Sequence, residues 1–318
     1  MFLLILHGAI QFSTVFLFGS AGETLTEKVG HLNLGIPGIM CMGAIGGIIG
    51  ESIYIQSLAD ISQINGFSAV VMPLIFSAIF AGMMGLLYCF LTVTLRCNQN
   101  VTGLAITTFG VGFTNFFGER VDKTSFSVAS KYFTNSLFGV DGGDWFSELF
   151  LNYGIMVYLA IFIAIVLAIM LKKTRMGLNI RAIGENPATA DAAGINVTKY
   201  KYVTTVVGSI VAGFGGVFYI MDYLAGGWEY SIDAMGWLAV ALVIFTVWKP
   251  NWGILGAILF GGLYILPYYI NVNFSQQELV KMIPFVVTII VLIVTSIVNK
   301  RETQPPAALG VSYFREER

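Results

Sequence analysis

Lys172-Lys173-Thr174-Arg175-Met176-Gly177-Leu178-Asn179-Ile180-Arg181-Ala182-Ile183-Gly184-Glu185-Asn186-Pro187-Ala188-Thr189-Ala190-Asp191-Ala192-Ala193-Gly194-Ile195 is the one long polar, basic interruption in a chain that otherwise alternates apolar runs with short breaks. Inside it lies a compact helix signal. Asn186 can accept from the first free amides as N-cap, Pro187 fits the first helical position, and Gly194 suits the left-handed position after the last turn. Between them is room for one or two turns, carrying Ala188, Thr189, Ala190, Ala192 and Ala193. Side chains this small cannot form a core, but they let a helix lie close inside another protein's groove. The plainer alternative is an ordinary loop containing a turn of helix.

The rest of the chain defines the setting of that helix. Of 318 residues, 56% are apolar and 11% charged, with 36 glycines, against roughly a quarter charged in a soluble domain. This is the composition of an all-α integral membrane protein. Runs long enough for a bilayer core of roughly 20 residues occur at 2–19, 34–50, 70–95, 101–118, 153–171, 203–224, 235–248, 253–270 and 282–298. They predict a bundle of about nine spans, within a range of about eight to ten. Residues 235–248 are short for a crossing, and the run from Phe2 to Phe18 lacks the basic start of a signal peptide, so it reads as a retained helix. Residues 1–303 form one transmembrane domain on this reading, and 304–318, with Pro305-Pro306 and mixed charge, a mobile tail.

Basic residues set the orientation. With 172–201 placed in the cytoplasm, Lys28, Arg96, Lys172, Lys173, Arg175, Arg181, Lys199, Lys201, Lys249, Lys300, Arg301, Arg315 and Arg318 fall inside. Arg120, Lys123, Lys131 and Lys281 fall outside. This bias needs an outer N-terminus, a cytoplasmic C-terminus and an odd number of spans. Small residues recur at four-residue spacing, as in Gly43 with Gly47, Gly46 with Gly50, Ala78 with Gly82, Ala212 with Gly216, and Gly253 with Ala257 and Gly261. Such positions let helix backbones approach closely in lipid.

Several functions are excluded or disfavoured. A net charge of −1, with scattered basic residues, argues against nucleic acid. No Gly-x-x-x-x-Gly-Lys loop occurs, so the chain is not an ATPase of that kind. His7 and His31 have no partners at catalytic or metal spacing, and Cys41, Cys89 and Cys97 read as buried small hydrophobes. The segment Glu119–Glu148 reads as an outer loop, in which Asp141-Gly142-Gly143-Asp144 lacks the ligand pattern of a calcium loop. Polar side chains within spans must face the bundle interior or a water-filled path. Gln11, Asn33, Asn100, Thr107, Thr108, Asn115 and Asp222 are the candidates for a solute path, and Asp222 is the one carboxylate placed inside a span. The alternative for each is an interhelical hydrogen bond.

Three stretches, in order, resemble one family. Gly22-Glu23 through Asn33-Leu34-Gly35 to Gly38-Ile39-Met40 resembles the entry to the second span of nucleoside and simple-sugar ABC permeases. Here Asn33 can cap the helix, and Gly35 and Gly38 permit close approach. Arg181 to Ile195, followed by Tyr200 to Tyr202, resembles the cytoplasmic segment of branched-chain amino acid, simple-sugar and nucleoside permeases that docks into the ATPase. Ser209 through Gly216, Asp222 and Trp228 to Asn251 is similar too, although Met235 stands where a polar residue commonly precedes Gly236. The resemblance implies that Arg181, Gly184, Glu185, Asn186, Pro187, Ala188, Ala190, Ala193 and Gly194 couple the chain to an ATPase. It further implies a second, different permease chain, an external substrate-binding lipoprotein and import by alternating access, with ATP and Mg held by the ATPase and no cofactor on this chain. A nucleoside is the expected solute, with a simple sugar, a riboflavin-like vitamin or a branched-chain amino acid as alternatives. A stand-alone secondary transporter is the competing class and would need intramembrane carboxylates at an ion site.

Overall fold

The computed structural model describes residues 2–314, apart from 59, 61–62, 119, 121–122, 140–143, 230, 270–278, 281 and 299–303. Asp141-Gly142-Gly143, Lys281, Lys300, Arg301 and tail residues 315–318, all named above, lie outside the described residues. The elements are α1 (Phe2–Lys28), α2 (Ile36–Gln56), α3 (Gly66–Cys89, running on as a wider π turn over Phe90–Thr94), α4 (Gln99–Gly118), α5 (Lys123–Thr134), α6 (Trp145–Phe150) and α7 (Ile155–Lys173). They continue as α8 (Arg175–Glu185), α9 (Pro187–Ala192), α10 (Val197–Val217, with a π turn over Phe218–Tyr223), α11 (Ile232–Phe245), α12 (Pro250–Tyr269) and α13 (Ile283–Val298). No strand occurs among the described residues. The expected count of about nine spans divides unevenly: among the described residues, six helices are long and apolar enough to cross a membrane, and three shorter apolar ones lie in α11, α12 and α13.

At the centre, α1, α2 and α10 pack on one another, with α3, α11 and α12 around them. Backbone contact holds this centre together. A Cβ on Gly43 would lie 2.4 Å from the Gly213 Cα, and one on Gly216 would lie 2.0 Å from the Met40 carbonyl oxygen. Only glycine fits at these crossings, as the small-residue spacing implies. Gly253 is an exception, with open space where its Cβ would be.

Five sequence expectations need correction. The first span does not end at residue 19: α1 continues through Lys28, so Gly22–Lys28 is helix and not an entry loop. Glu23 and Glu27 lowered the local hydropathy, yet both are buried, and Gly22 faces the backbone of Gly208. Asp222 is therefore not the sole carboxylate within a span, since Glu23, Glu27 and Glu51 also lie buried in α1 and α2. The segment Glu119–Glu148, read from sequence as a loop, contains helix α5 and the start of α6. On α5, buried Ala129 and Phe133 sit one turn apart, and the Ser130 hydroxyl donates to the Ala225 carbonyl, so two apolar positions sufficed where the sequence showed little period. Cys97 is exposed, unlike Cys41 and Cys89.

The fifth correction concerns the tail. Where a mobile segment was expected, residues 304–314 are tied to the bundle: the Ala308 amide donates to the Gly184 carbonyl at 2.9 Å and the Gly310 amide to the Gly30 carbonyl at 3.3 Å. The Gln99 amide nitrogen donates to the Val311 carbonyl, and the Arg96 guanidinium sits 4.8 Å from the centre of the Phe314 ring. These contacts gather Lys28–Leu34, the start of α4, α8 and the tail at one end of the bundle. The opposite end holds His7, whose Nδ1 lies 2.9 Å from the Glu148 carbonyl and whose ring stacks on Tyr153.

Candidate coupling site

The α8–α9 hairpin is built by alternation of caps and close approaches. At the end of α7, the Thr174 hydroxyl accepts from the Gly177 amide at 3.1 Å and so starts α8. Helix α8 went unnoticed in the sequence because its apolar positions are few, but they fall on one face: Gly177, Ile180, Ile183 and Gly184 are buried, a spacing of three and four residues. Gly184 touches the end of α1, since a Cβ there would lie 2.3 Å from the Lys28 carbonyl oxygen. A second tie comes from α10, where the Tyr200 hydroxyl accepts from the Asn179 amide nitrogen at 2.7 Å.

Asn186 then serves two helices. It ends α8, and its side-chain oxygen accepts from the Thr189 amide at 3.0 Å to cap α9, with Pro187 first in the helix. Gly194 follows at φ +83. The Gly194 amide donates to the Asp191 carbonyl and the Ile195 amide to the Ala190 carbonyl, the paired bonds of a Schellman ending. This is the geometry that Asn186, Pro187 and Gly194 imply from sequence.

The residues expected to couple are split by this packing. Arg181, Glu185, Asn186, Ala193 and Gly194 are exposed, Pro187 and Ala188 are half-buried, and Gly184 and Ala190 are buried within the chain's own structure. The free surface of the hairpin is therefore Arg181 and Glu185 beside Thr189, Ala192 and Ala193. The tail contributes a residue that sequence reasoning missed: the Tyr313 hydroxyl donates to the Asp191 carboxylate at 2.8 Å. Its signal was present as Leu309, Val311, Tyr313 and Phe314, an apolar and aromatic run atypical of a free tail.

The expected solute-path residues do not converge on one cavity. Near one end, the Gln11 amide nitrogen donates to the Asp222 carboxylate at 3.4 Å. Near the other, Asn33 is wholly buried, its side-chain oxygen accepting from the Gly35 amide, while the Thr107 hydroxyl donates to the Leu34 carbonyl. Asn33 thus orders the turn before α2 but does not cap it at the predicted position, and Gly35 is the N-cap. Asn100, Thr108 and Asn115 are exposed on α4. His31 lies in the turn between α1 and α2, its Nδ1 2.8 Å from the Thr205 hydroxyl. Burial, and then nearby Lys201, hold its pKa well below the usual histidine range.

A membrane bundle carrying a capped, small-faced helix at one end is matched by one family. Residues 4–292 fit the family described as the branched-chain amino acid transport system permease component. The chain belongs to that family. A protein of Haloferax volcanii, named as a glucose ABC transporter permease in a name that marks the assignment as provisional, is 30% identical over 81% of this chain and 74% of its own. The guanosine ABC transporter permease NupQ of Bacillus subtilis is 25% identical, and the nucleoside ABC transporter permease NupC of Lactococcus lactis 27%, each over 99% of this chain and 98% of its own. No solved structure matches. The chain is a multi-pass permease component of an ABC transporter, and its relatives include nucleoside and sugar permeases.

Proposed function

We propose that this chain is the membrane-spanning subunit of an importer for a nucleoside or a related neutral solute, working by alternating access. ATP hydrolysis is carried out by a separate subunit that grips the α8–α9 hairpin. The observation that carries this reading is the hairpin itself: a doubly capped short helix with a free face of Thr189, Ala192 and Ala193, backed rigidly by Gly184 against α1 and by Asn179 against α10. A closing ATPase that moves α9 thereby moves both central helices. Full-length similarity to NupQ and NupC favours nucleosides; the Haloferax relative supports a sugar as the second reading. The buried Glu23 and Glu27 give no support to an ion-driven transporter. Glu27 accepts from the Trp248 indole and Glu23 from the Asn33 amide, and both brace the end of α1.

A second permease chain is supported by α4. It is the least apolar of the six long helices, yet only 39% of its spanning window is buried. Its exposed face carries Asn100, Thr108 and Asn115, with open space beside Gly112. The Thr108 hydroxyl already donates to the Leu104 carbonyl, but lipid cannot satisfy the side-chain amides of Asn100 and Asn115, whereas a partner permease or a solute path between the two chains can. Neutral amides and hydroxyls exchange hydrogen bonds with sugar and base edges without holding them by charge, which leaves selection to an external binding protein. The orientation follows from the basic end: an outer N-terminus, nine crossings, and the hairpin and tail in the cytoplasm.

Two measurements test this. Deleting the chain from a strain with no other nucleoside importer should abolish uptake of labelled nucleosides and spare amino acids and metals. A defect confined to sugars or to branched-chain amino acids would transfer the protein to a sister branch. A single cysteine at Thr189 should resist an impermeant thiol reagent in intact cells; labelling from outside would overturn both the orientation and the coupling role.

A further inference from the structure

Beside the hairpin lies an open cavity of about 650 Å³, bordered by the π turn of α3, the link from α9 to α10, the first turn of α10 and the tail. Its size is that of a small-molecule site, and its charge is lopsided. Among the described residues, Arg96, Lys199 and Lys201 line it against one carboxylate, Asp191, which already accepts from Tyr313. Lys201 is only 4% exposed, and among the described residues the group that acts on its ammonium is the Cys89 thiol rather than a carboxylate. A cation withdrawn from water without a counter-charge is strongly disfavoured. Beside it opens the N-terminus of α10, a helix of 21 residues whose cap, Asn196, satisfies the Lys199 amide. The amides of Val197 and Thr198 start that helix in the wall of the cavity, where the partial positive charge of a helix start adds to the three side chains.

We propose that this cavity binds a phosphate group, with Lys201 as its buried counter-charge and Arg96 and Lys199 at its mouth. The phosphate belongs either to a small soluble anion or to the headgroup of an anionic lipid, both of which present a doubly hydrogen-bonding oxyanion of the same chemistry. The site lies where three parts of the fold meet, since Asp191 belongs to α9, Lys201 to α10 and Tyr313 to the tail. This inference goes beyond the transport reading and does not depend on it, because its test reads binding.

The full chain, purified in detergent and at constant ionic strength, is assayed by equilibrium dialysis with radiolabelled inorganic pyrophosphate. Phospholipid retained after detergent exchange is measured in parallel by phosphorus analysis. The wild type should hold close to one equivalent per chain of one or the other. Pyrophosphate binding that is equal in nanodiscs of phosphatidylcholine and phosphatidylglycerol identifies the soluble anion, and displacement by phosphatidylglycerol identifies the lipid. Lys201→Met, which removes the charge and keeps the stem, should weaken binding at least tenfold; Lys201→Arg should retain it, and Arg96→Gln should weaken it severalfold. Lys172→Met, on the exposed end of α7, controls for general loss of positive charge and should change nothing. A wild type that holds neither ligand, or equal losses in Lys201→Met and Lys172→Met, overturns the site.

Discussion

Helices α2 and α7 invert the rule that governs soluble proteins. Helix α7 is the most apolar of the six long helices, yet 33% of its spanning window is buried; α2 is among the less apolar, and 78% of its window is buried. In a membrane the solvent is hydrocarbon, so an apolar surface gains little by being covered and the interior is claimed by helices that can approach closely. Helix α2 supplies that approach through Gly43, Gly46, Gly47 and Gly50, while α7 turns Phe162, Ile165, Val166 and Ile169 outward. Against this pair α4 is the anomaly, the least apolar of the six and yet 39% buried in its spanning window, which is the ground for the partner surface proposed above.

The largest test of the contrast is a pair of leucines. Gly216→Leu places side-chain carbons on the Met40 carbonyl, where neither backbone can yield, and should cost more than the ~3 kcal/mol usual for overpacking. No folded chain should survive detergent extraction. Gly112→Leu on α4 meets open space and should fold with an unchanged thermal transition while losing co-purification with the second permease. If Gly216→Leu folds normally, the close-approach account of the centre fails; if Gly112→Leu pairs normally, α4 faces something else.

The same inside–outside distinction operates within four residues of α9. Ala193→Trp should leave insertion and folding intact and abolish both ATPase co-purification and uptake, a loss of at least tenfold. Ala190→Trp, at a buried position, should instead destabilise the hairpin, seen as a lower thermal transition of the isolated chain. Equal behaviour of the two variants would mean that the exposed face has no special role.

A smaller effect comes from His31. Its folded pKa lies below its unfolded value of about 6.5, so below that pH the unfolded chain binds a proton that the folded one refuses. Stability contributed by the neutral ring is present above about pH 6.5 and falls as pH drops, at up to ~1.4 kcal/mol per unit. The difference in unfolding free energy between wild type and His31→Asn, measured by denaturant titration in micelles, should shrink from pH 7 to pH 5. A difference independent of pH would show that the ring titrates as it would in water.

The smallest effect is Tyr313→Phe, which removes the bond to Asp191 and should cost ~0.5–1.5 kcal/mol of tail docking. Hydrogen exchange at residues 307–311 should quicken about three- to tenfold, with uptake largely preserved. Unchanged exchange would mean that the backbone bonds of Ala308 and Gly310 hold the tail unaided.

Local chemistry made part of this protein legible before any coordinates. Asn186, Pro187 and Gly194 announced α9 because caps depend on residues within one turn of each other, and four-residue glycine spacing announced close packing because a helix repeats its face every turn. What the sequence could not convey was which face met what. Glu23 and Glu27 looked like loop residues, since hydropathy counts a buried, partnered carboxylate and a solvated one alike. Ala190 and Ala193 differ by three positions and looked equivalent, but only the packing of α9 against α8 and α10 decides that one is covered and the other free. Residues 304–314 looked loose because their partners, Gly30, Gln99, Gly184 and Asp191, lie more than a hundred residues away along the chain. Contacts at that separation are properties of the assembled bundle, and no window of sequence contains both sides of them.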